Sequence, residues 1–279
     1  MPVQEGNPYR DSLKGVLRKF ISDAIGKEVT DVAAVCCDEK GNHLLFVGLP
    51  GRSYKKFVYN PEPRGTERLS PAIVELYARL DHALEAAVRK GNGAAEEDDS
   101  NGYALIKDPA ARSLQLAVRE WAIKHNRELL DVLLLCSFVE HRRIASDALG
   151  YVWQSPEQLS ALLHAARDPD REVRNNATRA LGVLARSQPS VASQIPPQTF
   201  VEMLNSGLWT DRNKATSLLV QLTLTRSPDL LAKIRSESFD SVLEMATWRE
   251  PAHASYCVGQ PWLSRTRRKP AVFSETAGK

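Results

Sequence analysis

The chain has 279 residues, of which 37 are basic and 34 acidic, and 43% are hydrophobic. That is an ordinary globular composition, and a formal net charge of +3 is too small to argue for nucleic acid by itself. No run of about 18 apolar residues occurs, which excludes a predicted transmembrane helix, and the N-terminal stretch lacks the apolar core of a secretory leader.

Residues 1–92 read as a small α+β region. Leu13, Val16, Leu17, Phe20, Ile21 and Ile25 form the apolar face of one helix, which Gly26 closes. Residues 29–37 are rich in β-branched and small side chains, residues 39–42 carry a turn signal, and residues 43–47 are apolar. This pattern predicts a β-hairpin. Residues 55–59 suggest a third short strand before a proline-rich loop. Ser70 and Pro71 then open a helix whose apolar face is Ile73, Val74, Leu76, Tyr77, Leu80, Leu84 and Val88. Residues 93–107, acidic at Glu96, Glu97, Asp98 and Asp99, read as a flexible, solvated linker.

Residues 108–260 repeat. Arg174, Ala177, Ala180, Leu181 and Gly182 recur 32 residues upstream as Arg142, Ala145, Ala148, Leu149 and Gly150. They recur 38 residues downstream as Arg212, Ala215, Leu218, Leu219 and Val220. A weaker copy ends in Ala254, Cys257, Val258 and Gly259. Periods in this range mark stacked helical hairpins. Positions 173, 177, 180, 181 and 184 fall on one helical face, and the alanines let a neighbouring helix approach closely. One hairpin cannot bury that stripe alone, so the copies must stack. The first helices of the pairs are expected at 129–135, 156–166, 197–204 and 239–246. Ser155 is expected to cap the second of these, with Pro156 at its first position. Thr210 or Asp211 is expected to cap the helix through Leu222. A helix over 110–125, with Leu114, Ala117, Val118 and Trp121 on its apolar face, opens the stack. Residues 261–279 form a basic tail with Arg265, Arg267, Arg268 and Lys269, expected to be disordered.

The copy over 168–182 resembles the second helix of a HEAT repeat, and residues 108–260 resemble a short HEAT-like array of the bacterial kind related to lyase HEAT-like repeats. Residues 46–51 and 57–63 extend the likeness to a set of bacterial HEAT-repeat proteins that carry no function to transfer. The fold expected is therefore mainly α: a C-terminal, armadillo-like α-solenoid preceded by the α+β region with its β-hairpin. The resemblance implies a curved solenoid whose inner, concave face makes protein–protein contacts. The final repeat departs from the pattern after Gly259, where the sequence does not continue a helix.

Two sets of polar residues recur with the repeat. Arg142, Arg174 and Arg212 could form an anion-binding ladder, but inter-repeat hydrogen bonds to the turn carboxylates Asp168, Asp170 and Asp211 are the stronger reading. Arg143, Asp147, Asn175, Arg179, Asn213 and Ser217 form a polar stripe along the second helices. In the family geometry this stripe lines the concave face, where it would meet a partner. A merely solvated face is the plainer reading of any one of them.

The histidines His125, His141, His164 and His253 fall on separate helices with no metal-ligand spacing, so no metal or other cofactor is expected. No glycine-rich phosphate loop occurs. Cys36, Cys37, Cys136 and Cys257 show no Cys-x-x-Cys spacing and read as free thiols of a reducing compartment, giving an expected cytoplasmic location. Three function classes remain. The leading one is a non-catalytic scaffold or adaptor that binds a protein on the concave face. The second is an enzyme of the bilin-lyase-related kind, for which the second helices offer few convergent acidic residues. The third is a HEAT-like nucleic-acid binder, against which the mixed charges of the stripe argue.

Overall fold

The structure is a computed structural model, and it describes residues 8–35, 44–49, 57–89, 97–152 and 154–248. The weaker fourth copy at 254–259, the basic tail, and Cys36, Cys37, Cys257 and Glu96 lie outside the described residues.

Helix α1 (Pro8–Ile25) ends where Gly26 takes φ 64°, a left-handed conformation that glycine adopts without a Cβ penalty. Strands β1 (Asp31–Val35) and β2 (Leu44–Gly48) pair antiparallel with Val32 opposite Val47, forming the hairpin predicted from two apolar runs around a turn signal. The third strand does not form at residues 57–59. Their backbone runs along the second hairpin instead: Arg167 donates to the Val58 carbonyl at 3.0 Å, and the Asn60 N–H donates to the Arg167 carbonyl at 2.7 Å. With its groups satisfied by a helix end, this segment has no need of a strand partner.

Helix α2 (Pro71–Arg89) buries Ile73, Tyr77, Leu80 and Ala87 and packs along α3 (Pro109–Lys124). Between them, residues expected to be a free linker form the short antiparallel pair β3 (Glu97–Asp98) and β4 (Leu105–Ile106). Asp108 caps α3 by accepting from the N–H groups of Ala110 and Ala111 at 3.0 and 3.1 Å, with Pro109 at the first helical position. The buried face of α3 is Ala111, Gln115, Val118 and Ala122, and Ala117 is exposed. The helix is thus rotated from the face that hydrophobicity alone picks out. Gln115 is drawn inside because it accepts from the Ile106 N–H at 2.8 Å and donates to the Tyr151 hydroxyl at 3.0 Å.

The repeats follow as helix pairs: α4 (Asn126–Leu135) with α5 (Val139–Ala148), and α6 (Pro156–Ala165) with α7 (Arg171–Ser187). A short α8 (Pro189–Ala192) leads to α9 (Gln198–Met203), which pairs with α10 (Trp209–Leu222). Second helices stack in order, α5 on α7 and α7 on α10. First helices stack beside them, α4 on α6 and α9 on α11 (Pro228–Glu237). Among the described residues between Arg127 and Leu222 there is no strand; Cys136 makes one isolated bridge to Gly65. The expected stripe of α7 is internal throughout: Val173, Ala177 and Leu181 are fully buried, and Ala180 and Leu184 nearly so.

Two helix starts deserve comparison. Ser155 caps α6 as expected, accepting from the Gln158 N–H at 3.1 Å. Neither Thr210 nor Asp211 caps α10, which begins after Leu208 without a side-chain cap. Asp211 is already committed, to the Arg174 guanidinium and to the Ser206 hydroxyl at 2.7 Å. The sequence reading also passed over α11 and took α12 (Phe239–Ala246) as a first helix. In the fold α11 is the first helix and α12 follows it after Ser238 alone. Its start signal was legible, since Ser227 and Pro228 repeat the arrangement of Ser155 and Pro156, and Ser227 accepts from the Leu230 N–H.

One continuous apolar core runs from Phe57 and α2 through the repeats to Met245. The β1–β2 hairpin reaches the far end of the stack, where the Phe46 ring lies 5.1 Å from that of Trp209 and 5.2 Å from that of Trp248.

Candidate functional site

The repeat arginines settle first. Arg142 forks Asp168 at 2.9 and 3.1 Å while donating to the carbonyls of Cys136 and Ser137. One repeat on, Arg174 forks Asp211 at 2.9 and 3.2 Å while donating to the carbonyls of Asp168 and Pro169. Arg212 donates to the Ser206 carbonyl at 2.7 Å and pairs with Glu244 at 3.2 Å. Each arginine ties its own inter-helix turn to a carboxylate of the next repeat. Arg142 and Arg174 are buried, so their planar forks are spent on architecture, and the anion-ladder reading falls.

The polar stripe divides in two. Asp147, Arg179 and Ser217 occupy one equivalent position on α5, α7 and α10, and all three line a single cleft of about 560 Å³. Asn175 lines it as well. Arg143 and Asn213, from the other position, do not. Arg143 is half-buried and forks Asp170 at 3.0 and 2.7 Å, with Glu140 at 2.6 Å. Asn213 is buried at 7% exposure. The second position is thus not uniform: Arg143 reaches to Asp170 of the next repeat and Asn213 is buried, whereas Asn175 opens to the cleft.

Asp170 has a structural task. It caps α7 through the N–H groups of Glu172 and Val173, both at 3.0 Å. Burial alone would raise its pKa, but the Arg143 fork and the two N–H donors outweigh burial and lower it. A depressed carboxylate contributes stability above its ordinary value of 3.8, and that contribution is lost as the pH falls through the folded value.

The cleft has three walls. Helix α2 supplies Leu80 and Leu84, the β3–β4 segment supplies Glu97, Asp99 and Ile106, and the second helices supply most of the rest, with Gln115 from α3 and Tyr151 from the turn after α5. Arg179 bonds Glu97 at 2.5 Å and lies 3.9 Å from Asp147. Arg186 pairs with Asp99. Glu97 and Asp99 therefore hold fixed positions across the cleft rather than standing in a solvated run. Asp147 accepts from the Tyr77 hydroxyl at 2.9 Å, which ties α2 to α5. Burial raises the Asp147 carboxyl, and Arg179 and Tyr77 oppose it. Burial and the Asp147 charge hold Tyr77 well above the usual phenol range, and the same two causes raise Tyr151. Lys214 shares the cleft, half-buried, and its pKa is lowered by burial first and then by Arg179.

Asn176, Gly182, Arg186 and Lys214 also line the cleft and were missed by the sequence reading. The signal existed for two of them, Gly182 and Arg186. Stepping from Asn175 to Arg179, Gly182 and Arg186 follows one helical face at spacings of four, three and four. Among the described residues, no group of three or more His, Cys, Asp or Glu side chains is placed to hold a metal ion. No described helix is long and apolar enough to cross a membrane.

Comparison with known proteins agrees with the helix-pair fold. A family model described as HEAT repeats matches residues 126–231. The chain is 26% identical over 192 residues to Protein CELLULOSE SYNTHASE INTERACTIVE 2 of Arabidopsis thaliana. That match covers 64% of this chain and spans only 9% of the relative's length. No solved structure matches. Residues 126–231, from α4 into α11, are a HEAT-repeat segment.

Proposed function

We propose that the protein is a non-catalytic interaction scaffold, and that a protein partner enters the cleft along α5, α7 and α10, which serves as the concave face of the repeat stack. The observation that carries this reading is the row Asp147, Arg179 and Ser217: equivalent in position, different in chemistry, and open to one cleft. Varied polar groups at repeated positions suit recognition of a single uneven surface. The charges of the cleft also balance. Glu97, Asp99 and Asp147 stand against Arg179, Arg186 and Lys214, which gives no basic track for a phosphate backbone. Two of its ionisable pairs are engaged with one another, Asp147 with Tyr77 and Arg179 with Glu97. The printed name of the plant relative describes an interacting protein, which fits this class without naming a partner for this chain.

The test is affinity capture followed by quantitative mass spectrometry, with the wild-type chain and the Asn175→Trp/Ser217→Trp double variant as baits. Both side chains are partly exposed in the cleft, so indole rings there fill it without entering the core. The proteins retained by wild type should drop by at least about tenfold with the filled cleft, a difference of roughly 1.4 kcal/mol, while helical circular dichroism is unchanged. The same proteins captured at wild-type yield would remove the cleft from the account.

A further inference from the structure

We infer that the cleft receives an acidic segment of the partner, with Lys214 as the side chain that binds its carboxylate. This rests on the reading that a protein enters this cleft, and it adds the chemistry of what enters.

Three observations support it. First, the chain already lays an acidic segment of its own across this face: Glu97 pairs with Arg179 and Asp99 with Arg186. Helix α7 thus meets its carboxylates from within. Second, α10 does not. Lys214 lines the same cleft, half-buried, and has no hydrogen bond or ion pair among the described residues. A half-buried ammonium without a direct ion pair is costly: burial and the Arg179 charge disfavour its protonated form, and the Glu97 and Glu172 charges, which favour it, do not outweigh them. An incoming carboxylate reverses both effects. Third, Thr178 lines the cleft, and its hydroxyl is buried beneath that surface with no hydrogen-bond partner among the described residues. Buried hydroxyls are normally satisfied, and a carboxylate oxygen is an acceptor that this donor lacks. Asn176 and Ser217 add neutral donors beside these two.

The balance of charge selects the class of ligand. The cleft's three carboxylates are matched by three cations, and Lys214, the cation without an ion pair, carries one charge, which a single side-chain carboxylate matches. Without its ligand, the arrangement leaves a lysine and a hydroxyl unsatisfied, a cost in stability of the kind that recognition sites keep.

The experiment pans a random dodecapeptide phage library on the full chain, then measures labelled synthetic copies of the enriched peptides by fluorescence anisotropy. Enriched peptides should contain Glu or Asp, and replacing those residues by Gln or Asn should abolish binding. Lys214→Gln should weaken binding by at least about tenfold. Thr178→Val should weaken it several-fold while leaving the melting temperature unchanged or raised, since it removes an unsatisfied hydroxyl without changing side-chain shape. A merely structural role for Thr178 would not separate those two readouts. Peptides lost on Ser217→Trp but bound equally by Lys214→Gln would overturn the acidic assignment and leave the cleft standing. Peptides indifferent to both variants would overturn both. Failure to enrich any peptide, or enrichment of peptides without acidic residues, would also overturn the inference.

Discussion

Arg174→Met should destabilise the protein by about 3–5 kcal/mol in urea unfolding monitored by circular dichroism, a loss comparable to the whole stability of many domains. Arg174 is fully buried and Asp211 is 1% exposed. The guanidinium makes two bonds to that carboxylate and one each to the carbonyls of Asp168 and Pro169, and it stacks 4.4 Å from the Tyr59 ring centre. Methionine refills most of the volume. It leaves Asp211 buried with only the Ser206 hydroxyl as partner, and two turn carbonyls without donors. The dominant cost is that uncompensated charge, not the lost attraction. The double variant Arg174→Met/Asp211→Leu should therefore recover the larger part of the loss. A single-variant loss below about 1 kcal/mol, the range of exposed ion pairs, would show that Arg174 is not a buried tie between repeats.

Ala177→Leu should cost about 1–3 kcal/mol by overpacking. Ala177 is fully buried on α7, the helix flanked by both α5 and α10, and three added carbons have no space there. The control is Ala117→Leu on the exposed side of α3, which should stay within about 0.5 kcal/mol of wild type. Equal melting temperatures for the Ala177 variant and wild type would place this alanine outside the helix–helix seam.

Both results trace to features readable in the sequence. The recurrence of Arg174, Ala177 and Leu181 at two offsets carries the stack, because a helix buried between neighbours needs small and apolar residues at fixed spacing. The repeat arginines were legible for the same reason: a charge that recurs with the core positions belongs to the core. The site was half legible. Asp147, Arg179 and Ser217 follow from repeat register, but register alone cannot say that Asn175 opens to the cleft while its equivalents Arg143 and Asn213 reach to Asp170 and into the interior. Rotation about a helix axis is set by tertiary packing. The same limit misassigned the buried face of α3, where Gln115 outcompetes apolar neighbours by satisfying Ile106 and Tyr151. Glu97 and Asp99 were opaque for another reason. A short acidic run has a solvated composition, and only long-range contact with Arg179 and Arg186 gives it a place. The α11 helix was missed although Ser227 and Pro228 signalled it, because the downstream repeat copy drew the register toward residues 239–246.

The central claim is that a partner binds on the second-helix face and not on the first-helix face. Site-specific photocrosslinking addresses it directly. A photoreactive phenylalanine analogue placed at Ser217 lies in the cleft, and one placed at Ser160 lies on the exposed side of α6. Irradiation in the presence of captured partner should give a covalent adduct from position 217 and none from position 160. An adduct from position 160 with none from position 217 would contradict the account.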